Sequence, residues 1–162
     1  MKFTKLLSIF LAISMLACMF VACDNGGNLS DDDAPDLPER EFYDITVSFQ
    51  IKNANGETDE KLNVENYNYK SHAEPTILNI VDHYLAVVAE YTCKIDENGT
   101  LIQVGGMKAD KKKNDFWGFV EGKINLSKAE VMSNLSDGKM SNTLVEDGGS
   151  FTIMLILGEE EE

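Results

Sequence analysis

Residues 43–57 read YDITVSFQIKNANGE. In this stretch Ile45, Val47, Phe49 and Ile51 alternate with Thr46, Ser48, Gln50 and Lys52, a period of two that marks a β-strand with one buried face. Asn53, Ala54, Asn55 and Gly56 follow as turn formers tolerant of positive φ, so the chain can fold back. Residues 62–69 (LNVENYNY) are the expected return strand of a hairpin.

Working outward, residues 74–91 (EPTILNIVDHYLAVVAEY) change the period. Ile77, Val81, Tyr84, Leu85 and Val88 fall on one helical face with Leu78 beside them, and Pro75 suits a first helical turn. One amphipathic helix covering a sheet is the expectation. Beyond it, residues 92–95 and 101–104 bracket a turn at Asp96, Glu97, Asn98 and Gly99, giving a second hairpin. Residues 108–115 (KADKKKND) read as a basic exposed loop, with a solvated tip as its default role. Ser127 with Glu130 forms a capping box that opens a short helix over 128–135. Residues 150–157 are an apolar strand, more continuous than alternating, as expected of a central strand covered on both sides.

Strand NDFWGFVEGKI, residues 114–124, holds the only tryptophan, and VEDGG, residues 145–149, precedes the last strand. Trp117, Phe119, Val120, Glu121 and Gly122, then Asp147, Gly148 and Gly149, resemble a domain of unknown function related to the carboxy-terminal domain of transcobalamin. Members often read tryptophan, aromatic, Val-Asn-Gly, and later Asp-Gly-Asp. Pro75 to Leu78 and Ile102 to Gly106 fit the same order of elements, so the resemblance spans residues 43–157. Glu121 stands where the family has Asn, and Gly149 where it has the second Asp. The resemblance implies a small α+β domain of β-grasp-like character, one helix on a mostly antiparallel sheet. The strand and helix periods lead to a similar architecture independently. In transcobalamin-like proteins such a domain covers one face of cobalamin, which would make Phe116, Trp117 and Phe119 the candidate stacking surface. On an alternating strand Trp117 faces away from its neighbours, so one set of these side chains is core and only the other is free to meet a ligand.

The amino terminus sets an address. Lys2 and Lys5 precede an apolar run over residues 6–22, and Cys23 is followed by Asp24, Asn25, Gly26 and Gly27. This is the layout of an export signal, and Ala22 before Cys23 resembles the lipobox of bacterial lipoproteins. Cys18 also follows an alanine; Cys23 is preferred because cutting there removes the whole apolar run. A plain secretory signal and an uncleaved membrane helix are the competing readings. Residues 1–22 are thus expected to be a signal peptide, 23–41 an acidic tether, 42–158 the folded domain and 159–162 an acidic tail. The expected place is the extracytoplasmic side of the cell membrane, anchored by lipid on Cys23.

Asp31, Asp32 and Asp33 are a solvated run rather than a calcium site, since ligands must converge from a fixed turn. The formal charge of −14 becomes 12 − 28 = −16 once residues 1–22 and their two lysines are removed. Such a chain repels phosphate backbones, so nucleic acid is excluded as an expected partner. Cys93 would have no partner in the mature chain and reads as a buried structural thiol. His72 and His83 lack metal-pair spacing and read as surface or boundary residues. No phosphate loop, metal cluster or nucleophile motif appears, so the chain is expected to be non-catalytic and to need no cofactor. Two functions compete. One is a surface-anchored binding or adhesion module for a protein, glycan or small ligand; the other is a lipoprotein that captures cobalamin for a transporter. Burial of Trp117 would favour the first and exposure the second.

Overall fold

The computed structural model describes residues 40–158. The expected signal peptide, lipidated Cys23, nearly all of the tether and the acidic tail lie outside the described residues. Within them the chain is α+β. Strands β1 (Tyr43–Lys52) and β2 (Thr58–Ser71) form the first hairpin, and helix α1 (Ile77–Tyr84) follows and continues as a wider π turn over Leu85–Ala89. Strands β3 (Cys93–Ile95), β4 (Leu101–Val104) and β5 (Met107–Lys108) make a small antiparallel sheet. Then come β6 (Phe116–Glu121), helix α2 (Lys128–Ser133) and β7 (Ser150–Ile156). The main sheet has the order β2-β1-β7-β6, with β1 and β7 parallel and both outer pairs antiparallel. A central parallel pair flanked by antiparallel neighbours, with a helix packed across, is the β-grasp arrangement that the resemblance implied.

The helix covers the front of the sheet. Val47, Phe49 and Ile51 of β1, Phe151, Ile153 and Leu155 of β7, and Trp117 and Phe119 of β6 meet Ile77, Ile80, Val81, Tyr84 and Leu85 in one buried cluster. Phe49 and Phe151 stack with centroids 5.0 Å apart. At roughly 1.5–3 kcal/mol for each large side chain removed from water, this layer supplies most of the driving force for folding. On the rear, Val120, Met154 and Ile156 meet Val131 of α2, with Leu126 and Leu135 packed beside them. Strand β7 is therefore buried on both faces, as its unbroken apolar run requires.

Three local details depart from the sequence reading. Pro75 lies one residue outside the helix, because Thr76 is the N-cap and accepts from the Asn79 N–H at 3.2 Å. Val88, expected on the buried face, is 54% exposed, and Ala89 is buried in its place. The π turn inserts an extra residue into the helical repeat, which carries the buried stripe one position further along. Strand β2 switches parity midway: Leu62 and Val64 point inward, then Tyr69, with Tyr67 half-buried. A bulge at Asn66, with φ of 53°, inserts one residue between the pairs Phe49 to Val64 and Val47 to Tyr67. The Ser48 hydroxyl accepts from the Asn66 N–H at 3.0 Å and holds it.

Strand β1 was expected to bury only one face, yet Gln50 and Lys52 on its rear are buried too. The Gln50 amide donates to the side-chain oxygens of Asn63 and Asn125, and its own oxygen accepts from the Asn125 N–H. This fastens the loop after β6 onto the sheet. Lys52 donates to the Thr58 hydroxyl at 3.1 Å, and burial pulls its ammonium below the usual lysine range.

Candidate functional site

Strand β6 forms one edge of the main sheet, and its pairing decides what that edge offers. In its antiparallel ladder with β7, successive residues alternate between pointing their backbone groups at the partner and away from it. The Gly122 N–H donates to the Ser150 carbonyl at 2.7 Å, which turns the even-numbered residues toward β7. The Phe119 carbonyl instead accepts from the Ser136 N–H at 2.9 Å, on the outer side. By the same alternation the N–H and C=O of Trp117 and the N–H of Phe119 face outward. Among the described residues no bond closes them.

Beside these groups lies a cleft of about 210 Å³. Its floor is β6 at residues 116–119, one wall is residues 99–101 at the start of β4, and the other is residues 135–140. Buried Leu101 and Met140 and half-buried Leu135 give it an apolar lining. The far wall is anchored to the helix: the Leu78 N–H donates to the Met140 carbonyl and the Ile77 N–H to the Thr143 carbonyl. These bonds satisfy two of the free donors at the start of α1. Gly118 leaves room for Leu135, whose Cδ2 would lie 2.6 Å from an added Cβ.

Trp117 lines the cleft and is 5% exposed. Its Nε1 is the only buried side-chain nitrogen or oxygen among the described residues without a hydrogen-bond partner. Leaving such a donor unmet costs about 1–3 kcal/mol. Phe119, two residues on, shares its inward face and is also buried, whereas Phe116 points to the rear and is 45% exposed. The predicted stacking trio is thus divided, with Trp117 and Phe119 in the core set and Phe116 in the free one. Sequence reading missed the far wall. Its signal was slight: Leu135 and Met140 are apolar residues inside a polar, turn-forming run.

The opposite edge of the sheet has a different character. Strand β2 carries the Asn66 bulge and the charges of Asp59, Glu60, Lys61, Glu65 and Lys70, devices that discourage strand pairing. Strand β6 has an unbroken register and no charge from Phe116 to Val120.

The other titratable candidates sit elsewhere. Tyr67 Oη and His83 Nδ1 lie 2.6 Å apart on the helix side, and exposed His72 contacts the Glu41 carbonyl at 3.0 Å, so both histidines are boundary or surface residues. Burial first, and then the Asp82 carboxylate, push the half-buried Cys93 thiol up to about 12, away from nucleophilic character. Lys111 is paired with Asp96 at 2.7 Å, so the basic loop is tied to the second hairpin. The resemblance residue Asp147 accepts from the Thr46 N–H at 2.7 Å and joins the turn before β7 to β1. Among the described residues no group of three or more His, Cys, Asp or Glu side chains could hold a metal ion, and no helix is long and apolar enough to cross a membrane.

No family model matches the chain, and no curated protein matches it in sequence. Among the solved structures that match it in part are the following two. Haptocorrin in complex with Cbi aligns at a TM-score of 0.47 with 11% identity, over 76% of this chain and 27% of haptocorrin. This chain therefore corresponds to about a quarter of that protein. A protein from Ruminococcus gnavus ATCC 29149, to which metal binding has been ascribed, aligns at 0.43 with 16% identity, over 71% of this chain and 99% of that one.

Proposed function

We propose that this chain is a lipid-tethered, non-catalytic binding module that takes its ligand at the β6 edge. One observation supports this above others: Trp117, whose buried Nε1 has no hydrogen-bond partner among the described residues, lines an apolar cleft beside open backbone groups. A native fold seldom leaves a buried donor unmet without a functional reason. Lipid attachment through Cys23 would hold the domain at the outer side of the membrane, with the acidic segment before residue 42 as its tether. Anchoring is tested by Cys23→Ala and cell fractionation; a variant that stays membrane-bound and is processed as before would refute it. The binding role is tested by NMR titration of the full chain with p-cresol, an aromatic probe sized for the cleft. Shifts confined to residues 99–101, 116–119 and 135–140 are expected, and saturable shifts elsewhere would refute the site.

Corrinoid capture is the second reading, and exposed Phe116 is the observation that favours it. Trp117 is too buried to offer a stacking face, so Phe116 would have to supply the contact, with another protein covering the remainder of the ligand. Calorimetric titration with cobalamin tests it. Heat that disappears in Phe116→Ala supports capture, and no heat from the folded protein rules it out.

A further inference from the structure

The occupant of the β6 edge follows from its backbone chemistry. We infer that it is an extended polypeptide strand that pairs with β6 and places one bulky apolar side chain in the cleft. This rests on the reading of the β6 edge as the binding site.

Four features define the occupant. Outward N–H and C=O groups at Trp117, followed by the outward N–H of Phe119, present a donor, an acceptor and a second donor along one line. An extended backbone supplies the complementary series with a matching repeat, which is how peptides add to sheet edges. The cleft opens on the same strand, and at about 210 Å³ it exceeds the engineered cavity of about 150 Å³ that accepts benzene. A Phe or Leu side chain therefore fits, and alternate side chains of the added strand would point away. Trp117, whose Nε1 the domain itself leaves unmet, is among the residues that line that cleft. Finally, the described residues carry 12 basic and 18 acidic side chains, 12 − 18 = −6, so lysines at the ends of the strand favour long-range encounter, while Lys139, which lines the cleft, favours an uncharged apolar residue at its centre.

A second copy of this chain is a poorer occupant. It would bring like charge, with 12 basic against 18 acidic side chains among the described residues of each copy.

The test uses the full chain and short synthetic peptides of alternating threonine and valine, with a lysine at each end and Phe, Leu or Ala at the centre. Each is also made with N-methyl groups on the backbone amides that would pair. The modification sits on the peptide, so folding of the protein is untouched. Amide hydrogen exchange at Trp117 and Phe119 is followed by NMR, with p-cresol as the probe of the cleft alone. Phe- and Leu-centred peptides should slow exchange of both amides by roughly tenfold or more, and the effect should weaken with salt. The Ala-centred and N-methylated peptides should lose that protection. If p-cresol binds the cleft while every peptide leaves both amides unprotected, strand addition is wrong and the cleft reading stands. If neither probe binds, both readings fail. Protection that appears without peptide and grows with protein concentration would assign the edge to self-association instead.

Discussion

Trp117→Phe separates a donor that awaits a ligand from one that is already bonded in the free protein. The change removes the Nε1 N–H and about two ring carbons from a side chain that is 95% buried (100% − 5%). At about 0.8 kcal/mol for each buried carbon group, the lost apolar contact amounts to about 1.6 kcal/mol. Against this, removing an unmet buried donor returns about 1–3 kcal/mol. The two effects nearly cancel, so urea denaturation should place the variant within about 1 kcal/mol of the parent. Trp117→Ala gains the same relief but opens a far larger void, and Trp→Ala changes in cores typically cost about 3–5 kcal/mol. The diagnostic quantity is the gap between the two variants, measured under one set of conditions. A Trp117→Phe loss of about 3 kcal/mol or more, with unchanged m-value, would show that Nε1 makes a good hydrogen bond in the free protein. Trp117 would then carry no unmet donor for a ligand to satisfy.

Other perturbations probe the frame around the cleft. Gln50→Ala should destabilise by about 2–3 kcal/mol in the same denaturation assay, because it strands the Asn125 N–H and loosens the loop after β6; a neutral outcome would show that the loop is held some other way. Gly118→Ala should cost about 1–3 kcal/mol by pressing on Leu135, and Leu135→Ala in the same chain should recover part of it. Simple additivity in that double-mutant cycle would disprove the contact. The Lys111 ammonium, and after it the Thr100 N–H, hold the Asp96 carboxyl at about 2, below its ordinary 3.8. Its folded value is depressed, so its contribution is complete above pH 3.8 and disappears as pH falls toward 2. Acid titrations of Asp96→Asn and the parent should therefore converge across that window, and parallel curves would contradict the pairing.

The main architecture was legible because periodicity is a local property. Residues 45–51 alternate, residues 77–85 repeat at helical spacing and residues 151–156 are unbroken, and these patterns mark a hairpin, a helix and a central strand. Where the reading slipped, one extra residue was responsible. The Asn66 bulge divides β2 into two short alternations of opposite parity, and the π turn moves burial from Val88 to Ala89. Neither insertion has a sequence signature apart from the asparagine. Polar Gln50 gave no sign of burial, since its partners Asn63 and Asn125 are brought to it only by the fold. The cleft was half legible: aromatic residues on β6 drew notice, but its far wall arrives from residues 135–140, placed by hydrogen bonds to the start of α1.

The unequal edges of the main sheet give the domain a valence of one. A sheet that could pair at both ends would polymerise, each unit templating the next into a fibril. Here β2 is blunted by its bulge and charges, and at the β6 edge the Phe119 carbonyl is closed by Ser136. Any strand that docks at β6 ends the array instead of extending it. A crowded population of such domains would stay a set of separate units, each occupied or vacant, with the blunted β2 edge barring a continuous lattice through this sheet.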